Sequence, residues 1–272
     1  MLHCGRNWQP SRVERLIETF KTSTRVAKVS TDIGIGFLKG IGNPAGLDSL
    51  ISEVVCGELA RWFGLTTPDF AIVPLRELEI IVDGRGRLES GPTFVSRGMN
   101  GLVSDGSTSL LEKLSNKQDL SRLVVFDTWV RNVDRHHPDP NMDLINRDNL
   151  FFRPIGTKFE LVVFDHTHCF SDAGLDEHVL RDPTVIRDEQ IYGLFPEFQD
   201  FLSSASLQGA VDRLRQIDIN TLETIVRSVP REWGLSASCS AALTACLHDR
   251  AKWVAEVVSG SMIENPTLGL GA

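Results

Sequence analysis

Between Phe126 and Phe170 the chain concentrates polar groups at the ends of apolar segments. The run reads FDTWVRNVDRHHPDPNMDLINRDNLFF and, after a polar turn, ELVVFDHTHCF. A helix-like segment leads into Asp134-Arg135-His136, where a carboxylate can accept a proton or orient a hydroxyl while the arginine pairs with it or with a neighbouring acid. Asn149 opens a short aromatic strand, and a second apolar strand ends on Asp165. A hairpin through Arg153 to Lys158 brings these two residues to the same end. An amide oxygen and a carboxylate oxygen there suit a hard cation such as Mg²⁺.

Such groups serve phosphoryl transfer, which also needs a cation on the nucleotide phosphates. Lys39 is the candidate for that cation. It lies on the second strand of an expected hairpin, after a turn containing Gly34 and Gly36. Glycines lack a Cβ, so their backbone can approach phosphate and point N–H groups at it. A rival chemistry comes from His136, His137, His166 and His168, because imidazole beside carboxylate also builds the zinc or iron site of a metal-dependent hydrolase. Against it, no tight H-x-x-x-H spacing occurs, and Lys39 would have no role.

The elements that must position these groups can be read from periodicity. Residues 25–41 alternate as a hairpin with a turn from Asp32 to Gly36. After the Gly42-Asn43-Pro44-Ala45-Gly46 break, Leu47, Leu50, Ile51, Val54, Val55, Leu59, Trp62 and Phe63 predict a helix that Gly64 ends. Apolar runs at 70–75, 78–82 and 93–99, with a turn at Asp83-Gly84, predict further antiparallel strands. Helices are expected over 107–116 and 119–131, and helical patterns dominate from 187 onward, before a frayed tail at 262–272. The fold class is therefore α+β, with a β-rich N-terminal lobe (1–100), an α-rich C-terminal lobe (101–260) and a linker near 97–106.

Bulk properties narrow the partners. The chain has 272 residues and a formal net charge of −8, which argues against a general affinity for nucleic acid or anionic membrane. No apolar run approaches the ~18 residues of a membrane span, and MLHCGRNWQPSRVERL lacks the apolar core of a secretion signal. Five widely spaced cysteines, with no C-x-x-C pair, point to a reducing cytoplasm.

Asn132-Val133-Asp134-Arg135-His136 resembles the Asn-x-Asp-Arg-His catalytic loop of the HipA-like kinases. Glu53-Val54-Val55-Cys56-Gly57-Glu58-Leu59-Ala60, followed by Gly64-Leu65 and Pro68, is similar to that family's helix motif. Phe94-Val95-Ser96-Arg97 resembles its inter-lobe segment, and Val229-Pro230-Arg231-Glu232-Trp233 its late Pro-x-x-Trp element. The resemblance implies a two-lobed protein-kinase-like fold that uses ATP and Mg²⁺. In it Lys39 binds the α/β phosphates, Asp134 orients the acceptor hydroxyl, His136 positions the loop or a phosphate, and Asn149 and Asp165 hold the metal. The backbone of Phe94, Val95, Ser96 and Arg97 contacts adenine. Glu53 pairs with Lys39 by motif, whereas helical periodicity places Glu58 on the packed face, so both remain candidates. The implied acceptor is a protein serine or threonine, and the implied partners include an antitoxin-type protein. A metal-dependent hydrolase and a non-catalytic ATP-binding module are the alternatives.

Overall fold

The computed structural model describes residues 2–76, 81–82, 86–142, 144–171 and 174–264. Its first strand, β1 (Val13–Thr19), is followed by β2 (Ala27–Thr31) and β3 (Gly34–Lys39). Buried and half-buried residues alternate along β2, as a strand resting one face on a core requires. The β2–β3 connection is only Asp32-Ile33, closed by a hydrogen bond from Thr31 Oγ1 to the Gly34 carbonyl at 2.7 Å. The turn is thus shorter than the sequence predicts, and Gly34 and Gly36 belong to the strand.

Helix α1 (Gly46–Phe63) starts where the Asn43 side chain accepts from Ala45 N at 2.9 Å and donates to the Gly40 carbonyl at 2.8 Å. It stops at Gly64, whose φ of 90° is readily available to glycine. Strands β4 (Phe70–Leu75), β5 (Ile81–Val82), β6 (Gly86–Arg87) and β7 (Gly91–Arg97) follow. The main sheet is antiparallel throughout, in the order β1-β2-β3-β7-β4. The expected turn at Asp83-Gly84 lies outside the described residues, as does 265–272 of the expected tail.

Residues 98–101 cross to β8 (Leu102–Val103), which pairs with β9 (Leu150–Ile155), itself paired with β10 (Lys158–Val163). The remainder is helical: α2 (Thr108–Glu112), α3 (Gln118–Val130), α4 (Glu177–Leu180), α5 (Pro183–Ile186), α6 (Ser204–Leu214), α7 (Ile219–Val226) and α8 (Ala237–Val258). A β-rich N-terminal lobe and an α-rich C-terminal lobe result. Helix α1 packs under β7 on one side and against α3, α6 and α7 on the other, so its burial runs almost all round. Trp233 adds a tie between the lobes, donating to the Pro92 carbonyl in β7 at 3.0 Å.

A smaller core covers the outer face of the sheet, where Trp8 packs with Ala27, Val29, Leu38, Ala71, Val73 and Val95. Gly36 sits under it. A Cβ added there would lie 2.5 Å from Val95 Cγ1 and 3.1 Å from the Trp8 ring. Gly36→Ala is therefore expected to cost about 1–3 kcal/mol by overpacking, read as a lower urea midpoint; an unchanged midpoint would show that this layer yields freely.

Candidate active site

Lys39 closes β3 with its ammonium buried beneath the sheet. It is bonded to Glu53 of α1, to Asp165 Oδ1 at 2.8 Å and to Thr167 Oγ1 at 3.0 Å. Thr167 Oγ1 also donates to Asp165 Oδ1 at 2.7 Å, and His166 N donates to Glu53 Oε2 at 3.3 Å. Three segments remote in sequence thus meet on one cation. Burial alone would lower the Lys39 ammonium, but the carboxylates of Asp165 and Glu53 overcome it and hold the lysine charged. Burial would likewise raise the Asp165 carboxyl, yet Lys39 keeps it below the usual carboxylate range.

The pairing of Lys39 with Glu53 settles the choice that periodicity left open. Glu58 is equally buried, but its carboxylate accepts the backbone N–H groups of His3 and Cys4 at 2.7–2.9 Å. A helix buried on nearly every side has no single packed face, so the apolar stripe could not tell the two glutamates apart.

The second half of the site grows from the end of α3. Arg131 takes a left-handed conformation, φ 51°, and turns the chain out of the helix. Asn132 Nδ2 donates to Asp127 Oδ1 at 3.3 Å, and Asn132 Oδ1 accepts from Asp134 N at 3.3 Å. Arg135, fully buried, donates from Nε to Asp127 Oδ2 at 3.2 Å and from Nη2 to the Phe164 carbonyl at 3.1 Å. Burial pushes the Asp127 carboxyl up to about 6, against the pull of Arg135. Through Phe164 the arginine links the Asp134 loop to the segment that carries Asp165.

Asp134 Oδ2 accepts from Asn149 Nδ2 at 2.9 Å and from Asn146 Nδ2 at 3.1 Å. Between Asp134 and Asn149 the chain folds back so that residues 135–137 pair with 144–146. Asn146 N donates to the Arg135 carbonyl at 2.9 Å, and His137 N to the Leu144 carbonyl at 3.0 Å. Asn141 instead bonds Asp139 and stays exposed.

The four histidines are dispersed rather than convergent. The His136 ring meets Phe195 at 5.3 Å, and burial lowers its pKa. His137 Nδ1 accepts from Asp139 N, His166 packs edge-on to Phe126 at 5.6 Å, and His168 Nε2 lies 3.4 Å from Ser23 Oγ. Among the described residues no group of three or more His, Cys, Asp or Glu is placed to hold a metal ion.

Between the lobes runs an apolar slot, walled by Phe37, Phe70 and Phe94 above and by Phe151, Val163 and Phe164 below. Lys39, Glu53, Asp165 and His166 line it too, as do Ser96 and Arg97, while Val95 is buried in the outer core instead. Gly57 keeps the slot open, since a Cβ there would lie 3.0 Å from the Phe70 ring.

Gly34 and Gly36 are absent from the lining. Gly34 is five residues before Lys39, about 17 Å along an extended strand, and Gly36 is occupied by the Trp8 packing. The loop at the lysine end of the sheet is instead the β1–β2 connection, residues 20–26, closed by Phe20 N donating to the Val26 carbonyl at 2.8 Å. Thr22-Ser23-Thr24-Arg25 contains no glycine, so it carried no signal in the sequence. Thr167 carries no mark in the sequence beyond its position two residues after Asp165.

A buried lysine–glutamate–aspartate cluster lining an inter-lobe slot, beside a loop bearing a second aspartate, defines a kinase-like phosphotransferase. The model of the HipA-like kinase family matches residues 30–258, and the chain belongs to that family. Among solved structures, the Helicobacter pylori proinflammatory kinase CtkA shares the fold, with a TM-score of 0.61 and 14% identity over 93% of this chain and 97% of that one. A chain of the Shewanella oneidensis MR-1 HipA, HipB and operator DNA complex aligns at 14% identity over 94% of this chain and 69% of its own, with a TM-score of 0.42. The Mycobacterium tuberculosis PknI kinase domain aligns at 14% identity over 90% and 94%, with a TM-score of 0.31. No protein with a curated description matches the chain.

Removing the shared cation tests the cluster. Lys39→Met leaves Glu53 and Asp165 buried side by side, which raises their folded-state pKa values above those of the unfolded chain. Stability from such groups is present at low pH and is lost as pH rises. Urea unfolding should show a loss of about 3–5 kcal/mol at pH 8 and a smaller one at pH 5. Equal losses at both would argue against a charged cluster.

Proposed function

We propose that the chain binds Mg-ATP in the cleft between residues 25–97 and 107–260 and phosphorylates a hydroxyl of a protein serine or threonine. The observation that carries this reading is the buried Lys39, held by Glu53 and Asp165 in the lining of the slot. Its cluster contains one positive and two negative side chains, and this excess of negative charge suits a divalent cation. The donor set fits as well: Asp165 Oδ1 is engaged by Lys39 and Thr167, leaving its second oxygen, and Asn149 donates its amide nitrogen to Asp134, leaving its carbonyl oxygen.

When bound, Mg-ATP supplies the phosphoryl group and the cation neutralises charge on its oxygens. Lys39 would supply the cation for the α/β phosphates, exchanging one of its present bonds to Asp165 or Thr167 for them. The slot would take the base between Phe37, Phe70 and Phe94 on one side and Phe151, Val163 and Phe164 on the other, with the strand from Phe94 to Arg97 at its border. Asp134, with Oδ2 held by two amides, has Oδ1 to orient the acceptor hydroxyl and take its proton. His136 keeps the loop in place through Phe195.

A protein acceptor and an antitoxin-type protein partner are part of this proposal. The net charge of −8 offers no support for direct nucleic-acid binding. No described helix is long and apolar enough to cross a membrane. All five cysteines are free, which supports a reducing, cytoplasmic setting.

Two measurements check the reading. Mg-ATP should raise the thermal midpoint, and a ligand at 100 times its Kd adds about 2.7 kcal/mol; Asp165→Asn should remove the Mg²⁺-dependent part of that rise. No nucleotide-dependent stabilisation would sink the proposal. In transfer assays with labelled ATP, Asp134→Ala should lose about 100-fold or more of the rate while keeping the midpoint rise. Equal trace activity in both proteins would favour a binding module without catalysis.

A further inference from the structure

Lys39 is bonded to two carboxylates and one neutral group, and the neutral group is the hydroxyl of Thr167. That side chain is buried and accepts from Lys39 Nζ at 3.0 Å. A hydroxyl has one proton to give. Two carboxylate oxygens lie within its reach, Asp165 Oδ1 at 2.7 Å and Glu53 Oε1 at 3.2 Å. The shorter contact takes the proton, since Glu53 is already served by Lys39 and by His166 N. The hydroxyl is thus fixed at both ends, accepting from the lysine and donating to Asp165.

Charge balance does not call for this fourth member. Lys39 already has two carboxylates, and a hydroxyl adds no charge. What it adds is direction. The two oxygens of an ionised carboxylate are chemically equivalent, and at Asp165 both Lys39 and Thr167 bond the same one, Oδ1. Asp165 is also the acid of the cluster that still opens outward, its side chain being 23% exposed against 3% for Glu53. Its backbone is left-handed, φ 58°, a conformation that costs a non-glycine residue free energy and persists where contacts enforce it. The Thr167 hydroxyl, reaching back over two residues, is the local contact that does so.

The two bonds to Oδ1 differ in what nucleotide does to them. An ammonium has three protons, and those of Lys39 are all engaged, by Glu53, Asp165 and Thr167. A phosphate oxygen that takes the lysine must displace one of these partners. The bond from Thr167 to Asp165 uses no lysine proton, so it survives that exchange whichever partner gives way.

Resting on the kinase reading above, we propose that Thr167 is a positioning residue for the metal site. Its hydroxyl holds Asp165 by Oδ1 and so keeps Oδ2 for the divalent cation while Lys39 turns to the phosphates. It acts through Asp165 and needs no contact of its own with nucleotide or metal.

The test is the equilibrium affinity for ATP, measured by titration calorimetry on the full chain in EDTA and again in excess Mg²⁺. The readout is the factor by which Mg²⁺ tightens ATP. It is a ratio within one protein, so a general loss of nucleotide affinity cancels. Thr167→Ser retains the hydroxyl and should retain the wild-type factor. Thr167→Val retains the volume without the hydroxyl, and Thr167→Ala removes both; each should cut the factor by about tenfold, the weight of one hydrogen bond to a charged group. A hydroxyl-free variant that keeps the wild-type factor, or a serine variant that loses it, overturns the assignment of Thr167 and leaves the kinase reading standing. A wild type that binds no ATP, or binds it equally in EDTA and in Mg²⁺, overturns the reading of the site and this assignment with it.

Discussion

A buried ammonium stays charged only with carboxylate at contact distance, and Lys39 is where this protein meets that constraint. Its two carboxylates come from α1 and from the residue after the phenylalanine that follows β10, so one cation sets the positions of sheet, helix and C-terminal segment together. Apolar burial around α1 supplies the cohesion, but it is nearly isotropic and cannot choose an orientation. The ion cluster can. A shift of α1 by one residue would turn Glu53 by about 100° and leave the ammonium without its partner.

A second buried pair does for the Asp134 loop what the first does for α1. Arg135 and Asp127 are both fully buried, and the arginine's remaining bond to the Phe164 carbonyl ties the loop to the strand that leads to Asp165. Buried ion pairs of this kind contribute little net stability compared with apolar packing. Their value here is geometric. Two non-glycine residues in the left-handed region, Arg131 and Asp165, flank the same junction. Such conformations cost free energy and persist where surrounding contacts enforce them, as the bonds of Asn132, Arg135, Thr167 and Lys39 do.

Local chemistry made much of this readable. The β2–β3 hairpin, the start and stop of α1 at Gly46 and Gly64, helix α3 and the β9–β10 hairpin all follow from periodicity and turn residues that act within a few positions. Asp134 and Asp165 stood out at the ends of apolar segments, Asn149 at the start of one and Lys39 on a hairpin strand, and the structure joins them into two linked groups. Less was readable where several partners compete for one residue. Gly36 is a glycine because Trp8 and Val95 crowd it, which no local pattern reveals. The loop nearest the lysine contains no glycine, and Gly34 and Gly36 lie at the other end of the hairpin.

The chain by itself determined the α+β class, the order of the lobes, the family-like motifs and the polar residues at strand and helix ends, since these depend on near-neighbour sterics, hydrogen bonding and hydrophobic period. Only the tertiary structure decided that Glu53 and not Glu58 meets Lys39, that the pairing of 135–137 with 144–146 brings Asn146 and Asn149 to Asp134, and that the histidines point to separate neighbours. Each of these is a choice among side chains of the same chemistry. Distance between elements far apart in sequence makes that choice, and distance is set by the packing of the whole core.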